Sequence, residues 1–156
     1  MATIIINHTK LRLAKVKQII RFTLPKDTII PKIIINEAKD PWVISGGYHP
    51  EETDAECYLK IAKYTNFPFL MQITKKEQKK GYLTGFWLRN KEEAFVYLSA
   101  HELKHCWQHQ HPFEKRMGKR KHRYSESDAD IYAVKKLHEW RKRKAKNLSR
   151  LSTKRY

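Results

Sequence analysis

The amino-acid sequence predicts an α+β fold, in which a small mixed β-sheet packs against two helices near the C-terminal end. Short β-branched and apolar runs typical of strands recur before residue 90, with one helix-like stretch among them. Apolar residues at helical intervals then occupy 90–109, and a second capped helical stretch starts near Ser125. A chain of 156 residues that is 40% hydrophobic suffices for one domain with a modest core.

The first third of the chain predicts strand, helix and strand in that order. Residues 2–6 predict a short strand and residues 31–36 a β-branched strand. Between them, the apolar residues of 11–22 recur near helical spacing, with five Lys and Arg on the other side. We interpret these cations as a solvated basic face.

The middle of the chain predicts turns and further strands. Pro and Gly residues between 40 and 53 predict turns around a short apolar piece, with His49 as a loop residue. The alternation in residues 56–64 favours a strand, although a helix would also fit the pattern. A charged turn over 75–81 then precedes a strand at 82–89 that leads directly into the next helix.

The helix at 90–109 carries the pattern H-E-x-x-H. Asn90 and Glu93 predict a capping box at its start. Residues His101 and His105 then lie one turn apart on the same face, where both imidazoles reach one Zn²⁺, and Glu102 stands beside a bound water. The alternative is a surface helix whose histidines fall one turn apart by coincidence.

A catalytic zinc usually takes three protein ligands, and two residues compete for the third place. Glu126 follows Ser125, a helix cap, and Asp130 lies one turn later, where its carboxylate could support a ligating imidazole. His111 is the alternative, ten residues after His101, although the glycine that lets the chain turn away in such motifs is Gln108 here. We favour Glu126.

His101-Glu-Leu-Lys-His105 followed by Glu126-Ser-Asp-Ala-Asp-Ile-Tyr-Ala133 resembles the H-E-x-x-H … E-x-x-A-x-x-[FY]-A pattern of zinc metallopeptidases. These motifs are similar to those of the small ImmA/IrrE-type and SprT-like zincins, and the resemblance covers about residues 82–140. The resemblance implies a zincin fold with His101, His105 and Glu126 as zinc ligands, Glu102 as general base and Asp130 as support. Lys104 departs from the usual Gly or Ala, and SprT-like proteins more often use a third histidine.

The expected reaction is amide hydrolysis of a protein or peptide substrate by a zinc-activated water. Tyr124, His122 and Tyr132 are candidates for stabilising the oxyanion. If 82–89 is an edge strand beside the cleft, an extended peptide could add to it by main-chain pairing.

The charge of the chain points to a polyanionic partner. The formal net charge is +17, and residues 114–156 hold 16 Lys and Arg against 5 Asp and Glu. We therefore divide the chain into a domain at 1–140 and a basic tail at 141–156. The tail residues expected to contact nucleic acid are Arg141, Lys142, Arg143, Lys144 and Lys146.

Two other classes of function compete with the peptidase. One is a basic nucleic-acid-binding module in which zinc is absent or structural. The other is a regulatory protein of a mobile element that uses the zincin scaffold to bind a partner without cleaving it. Neither a signal peptide nor an apolar run that could span a membrane is visible, and Cys57 and Cys106 form no C-x-x-C pair, so we expect a cytoplasmic protein without a membrane partner. Cys106 is expected to serve packing.

Overall fold

The computed structural model describes residues 2–38, 44–49, 56–62, 66–72, 85–111 and 126–153, which form three helices and two sheets. The strands are β1 (Ile4–Asn7), β2 (Lys32–Ala38), β3 (Ile44–His49), β4 (Glu56–Ala62), β5 (Phe69–Gln72) and β6 (Gly85–Leu88). The helices are α1 (Leu13–Thr23), α2 (Lys91–Gln110) and α3 (Glu126–Thr153). The predicted α+β class is confirmed.

The larger sheet is mixed and has one well-buried face. Its strand order is β1-β2-β4-β3, with β1, β2 and β4 parallel and β3 antiparallel to β4. The register places Ile33 beside Cys57 and Ile35 beside Leu59, and all four side chains are fully buried. Lys60, which points to the opposite face because side chains alternate along a strand, is exposed.

The helices cover this sheet and share one core with it. Helix α1 buries Val16, Ile19 and Ile20, and it packs against α2. Helix α2 in turn packs on β3 and β4, and α3 packs along α2. Leu137 and Trp140 are the last residues of α3 in the core, as the sequence predicts. The H-E-x-x-H helix is therefore held between the sheet on one side and α3 on the other.

Strand β3 corrects the prediction of turns around its glycines. Gly46 pairs with Leu59 and Gly47 with Tyr58, and His49 is the last residue of the strand rather than a loop residue. The glycines favour turns locally, but pairing with the central strand β4 outweighs that preference. Pro41 and Pro50 lie outside the described residues.

The remaining strand predictions agree with the structure where it describes them. Strands β1, β2 and β4 fall within or next to the predicted ranges, and β6 occupies the end of 82–89. Strand β6 pairs with β5 in a separate two-stranded antiparallel sheet. The charged turn predicted at 75–81 lies outside the described residues.

The predicted capping box of α2 is half formed. The side chain of Asn90 accepts a hydrogen bond from the backbone N–H of Glu93 at 2.9 Å, as expected. The carboxylate of Glu93 instead accepts from the backbone N–H of Arg89 at 2.8 Å and from the guanidinium of Arg141. The start of α2 is thereby fixed to α3 as well as to its own cap.

Helix α3 runs without a break from the glutamate predicted as a ligand into the basic segment, ending at Thr153. Its predicted cap, Ser125, lies outside the described residues, and the division of the chain at residue 140 stays a prediction. None of the helices in the part of the chain that the structure describes is both long and apolar enough to cross a membrane.

Candidate metal centre

Helix α2 places the two histidines of the motif side by side. Their positions one turn apart put both rings on the same face, and the Nε2 atoms of His101 and His105 lie 3.1 Å apart. The rings meet edge to face, with centroids 4.7 Å apart. His105 is buried and His101 retains a small exposed surface, so the pair lies at the rim of the core.

Helix α3 brings Glu126 to the same point. Its Oε2 lies 3.1 Å from Nε2 of His101, and its Oε1 lies 3.2 Å from Nε2 of His105. Ala129 and Ala133 have no exposed surface, and their small side chains let α3 pack closely on α2. The carboxylate remains two-thirds exposed, which leaves the site accessible from solvent.

The structure separates the alternative ligand His111 from this group. His111 forms the C-terminal cap of α2, and its Nδ1 lies 3.0 Å from the carbonyl oxygen of Trp107. Its ring stacks on the indole of Trp107 with centroids 4.7 Å apart. The cluster suited to a metal ion among the described residues consists of His101, His105 and Glu126.

The opposite nitrogen of each imidazole faces an oxygen. Nδ1 of His101 lies 2.8 Å from Oδ1 of Asp130, which also accepts a hydrogen bond from the hydroxyl of Tyr97 at 2.8 Å. Nδ1 of His105 lies 2.9 Å from Oε1 of Gln108. When both Nδ1 atoms carry the proton and donate to these oxygens, both Nε2 atoms keep their lone pairs.

The residues present fit a zinc ion. Two Nε2 atoms and a carboxylate converge with separations of 3.1 to 3.2 Å, and with both Nδ1 atoms protonated these three groups are acceptors whose mutual repulsion a cation relieves. Ligand atoms at about 2.05 Å from a tetrahedral zinc lie about 3.3 Å from one another, close to these spacings. Two histidines and a glutamate also form a known ligand set of catalytic zinc.

Glu102 is a buried carboxyl beside this cluster, 7% exposed. Burial raises its pKa, the positive charges of His101 and His105 lower it, and the carboxylate of Glu126 raises it, with a net upward shift. A carboxylate with a raised pKa is a stronger proton acceptor, as a general base requires.

The pKa of His101 reflects the same acidic surroundings. Burial lowers it, but the hydrogen bond to Asp130 and the charges of Asp130, Glu102 and Glu126 outweigh burial, and the net shift is upward. Without a bound cation, the cluster therefore favours a proton on this imidazole. A proton and a metal ion compete for the same nitrogen.

Lys104 and Tyr132 are directed away from the histidine cluster. The ammonium of Lys104 lies 3.5 Å from the ring centroid of Trp107 and 5.4 Å from that of Tyr132. Burial lowers the pKa of Lys104, and the nearby charge of Asp128 partly offsets this. The hydroxyl of Tyr132 donates to the carbonyl oxygen of Thr23 at 2.8 Å. In this structure the hydroxyl is therefore not free to donate to an oxyanion. The other two candidates, Tyr124 and His122, lie outside the described residues.

Sequence reasoning missed Tyr97 and Gln108. Both positions carried a signal, because Tyr97 is four residues before His101 and Gln108 three residues after His105 on the same helix. Gln108 lies against Nδ1 of His105, whereas Tyr97 acts on His101 through Asp130, to which its hydroxyl donates.

The five basic residues predicted to contact nucleic acid do not share one environment. Arg141 forms an ion pair with Glu93 at 2.8 Å and donates to the carbonyl oxygen of Trp87. Lys144 lies 3.1 Å from a carboxylate oxygen of Glu92. Lys142, Arg143 and Lys146 are exposed.

Comparisons of the chain with protein-family models, curated proteins and solved structures find no match.

Proposed function

We propose that this protein is a zinc-dependent peptidase that hydrolyses peptide bonds in a protein or peptide substrate. One observation carries the proposal: the Nε2 atoms of two imidazoles and a glutamate carboxylate meet at one point beside the buried carboxyl of Glu102. A structural zinc site is usually closed by four protein ligands, whereas three ligands leave a position for water.

The residues around the site divide the chemical tasks. When bound, Zn²⁺ lowers the pKa of a coordinated water to about 7 and polarises a carbonyl group. Glu102 accepts the proton of the attacking water and passes it to the leaving amine nitrogen. Asp130 and Gln108 hold the two imidazoles with Nε2 turned inward.

The substrate would bind as an extended segment beside α2. Strand β3 is an edge of the larger sheet and packs against α2, so its outer main-chain groups are placed to pair with a peptide. Strand β6, the other candidate edge, is less suitable because the carbonyl oxygen of Trp87 already accepts a hydrogen bond from Arg141. Substrate pairing at β3 rests on the proposed peptidase function.

Metal content tests the ligand set. The full chain, purified without chelator, is expected to hold about one zinc by elemental analysis, and His105→Ala and Glu126→Ala are expected to lose it. His111→Ala is the matched control and is expected to keep it. A wild type without zinc contradicts the proposal, and loss of zinc in His111→Ala but not in Glu126→Ala would reassign the third ligand.

Turnover tests the role of Glu102. Glu102→Gln is expected to keep its zinc and to lose hydrolysis of fluorescein-labelled casein by about 10²-fold or more, because the amide cannot accept the proton. Zinc in both proteins, with no hydrolysis by the wild type, would favour a scaffold that binds a partner without cleaving it.

A further inference from the structure

A basic groove lies between α1 and the C-terminal half of α3, separate from the histidine cluster. It has a volume of about 470 Å³ and is open to solvent. Its lining consists of Ala14, Lys17, Gln18, Arg21, Phe22 and Arg143. Three of these six side chains are cations and none is acidic.

No carboxylate among the residues that the structure describes neutralises the cations of the groove. Lys17 and Arg21 lie one turn apart on α1, which contains no acidic residue. Within the described part of the chain, neither they nor Arg143 form an ion pair, in contrast to Arg141 and Lys144 on α3. Lys146 follows Arg143 by three residues, so it extends the positive surface along the same side of α3.

The aromatic ring of the groove is already in use. Phe22 packs on Trp140 with centroids 5.2 Å apart, and Lys136 and Arg143 lie 4.9 and 5.8 Å from its centroid. Proteins that bind single strands need free aromatic faces on which bases stack. The apolar side of α1 is also buried in the core, so α1 has no apolar face to insert into a membrane.

We propose that this groove binds the phosphate backbone of duplex DNA. Lys17, Arg21 and Arg143 supply the phosphate contacts, and binding is independent of base sequence because the groove holds cations rather than groups that read base edges. The sequence alone favours a solvated face for the α1 cations. In the structure they line one groove together with Arg143, and this shared groove is the reason to propose a binding site.

The proposal goes beyond the peptidase function and does not depend on it. Arg143 follows Glu126 by 17 residues on one continuous helix, which separates the groove from the metal cluster by about 25 Å along its axis. A duplex in the groove therefore need not touch the zinc ligands, and each site can be disabled without the other.

The test is fluorescence anisotropy of a short fluorescein-labelled duplex DNA of mixed sequence, titrated with the full chain over about 50 to 200 mM salt. The groove variant combines Lys17→Ala, Arg21→Ala and Arg143→Ala. The control variant combines Lys26→Ala, Lys60→Ala and Lys135→Ala, which removes the same charge from exposed positions outside the groove lining.

The groove variant is expected to bind at least about tenfold more weakly at 0.1 M salt. The plot of log K against log salt, which slopes downward, should become shallower by about 3. The control is expected to stay within about threefold of wild type. Circular dichroism and zinc content show that each variant is folded and that the metal site is intact. Glu126→Ala, which should lose zinc, is expected to keep duplex binding.

Three results would overturn the proposal. One is a wild type that does not bind the duplex, and another is an equal loss in the groove and control variants, which would show dependence on net charge alone. The third is tighter wild-type binding to the single strand, or to phosphatidylserine vesicles, than to the duplex.

Discussion

Asp130 and Gln108 lie against the Nδ1 atoms of the two histidines and so favour Nε2 as the nitrogen that faces the proposed metal position. Each places an oxygen within 2.9 Å of an Nδ1 atom, and a proton held there leaves Nε2 as the ligand atom. Asp130 is itself held by the hydroxyl of Tyr97. The candidate site therefore includes residues that would not touch a metal ion. Their contribution should be measurable as a change in the affinity of the protein for zinc.

Asp130→Ala is expected to weaken zinc binding by about 10- to 100-fold, because His101 loses the acceptor that fixes its ring. Competition with a chromogenic chelator measures the affinity. Asp128→Ala, which removes an exposed carboxylate from the same helix, serves as the control. Equal losses in the two variants would show that only the local negative charge matters.

At the scale of elements, the start of α2 is joined to the middle of α3 by a buried ion pair. Nε of Arg141 lies 3.0 Å from one carboxylate oxygen of Glu93, and its Nη2 lies 2.8 Å from the other. Both side chains are mostly buried. The pair sets how α3 lies on α2 well away from the histidines.

The Glu93–Arg141 pair predicts an acid-dependent loss of stability. Burial raises the pKa of Glu93, but the hydrogen bonds from Arg141 and Arg89 and the charges of both outweigh burial, and the pKa falls below its ordinary value of 4.5. The ionised carboxylate therefore stabilises the fold above pH 4.5. This contribution is lost as the pH falls through the lowered pKa.

Arg141→Ala is expected to lower the free energy of unfolding by about 3 kcal/mol at neutral pH, because it leaves Glu93 buried without its partner. The deficit relative to wild type should shrink as the pH falls below about 4.5, where Glu93 becomes protonated. Urea denaturation across this range measures it. Lys142→Ala, an exposed neighbour, should be neutral, and a deficit that is independent of pH would contradict the assignment.

The whole molecule should be stabilised by the metal, since its ligands come from two helices that unfolding separates. With free zinc at 100 times the dissociation constant, binding contributes about 2.7 kcal/mol. For a chain of this size, removing zinc by chelation is expected to lower the Tm by roughly 5 to 10 °C. Calorimetry with and without chelator measures the shift, and Glu126→Ala should show none. A shift of the same size in that variant would place the stabilising metal elsewhere.

The fold could be predicted where local pattern and tertiary contact agree. The buried alternation of Cys57, Leu59 and Ile61 identified β4, and the apolar spacing of Val16 and Ile19 identified α1. Strand β3 could not be found this way, because its glycines favour turns and its reason for being extended is a partner strand elsewhere in the chain.

The part of the candidate site that lies on one helix could be predicted from the sequence, and the part that depends on packing between helices could not. The pair of candidate ligands follows from a spacing of four residues on α2. Which of Glu126 and His111 lies beside the two histidines depends on how α3 packs against α2, which spacing cannot determine. Gln108 stands where related motifs have a glycine, and the same position places its side chain against His105.

The strand order β1-β2-β4-β3 has a consequence for synthesis of the chain. Strand β4 lies between β2 and β3 but follows both in sequence, so neither has its central partner until residues 56–62 have left the ribosome. Until then, the isoleucine-rich β2 presents an unpaired edge to other nascent chains. Fragments ending before residue 56 should therefore aggregate, and a pause in synthesis would be harmful if β2 had left the ribosome while residues 56–62 were still inside it.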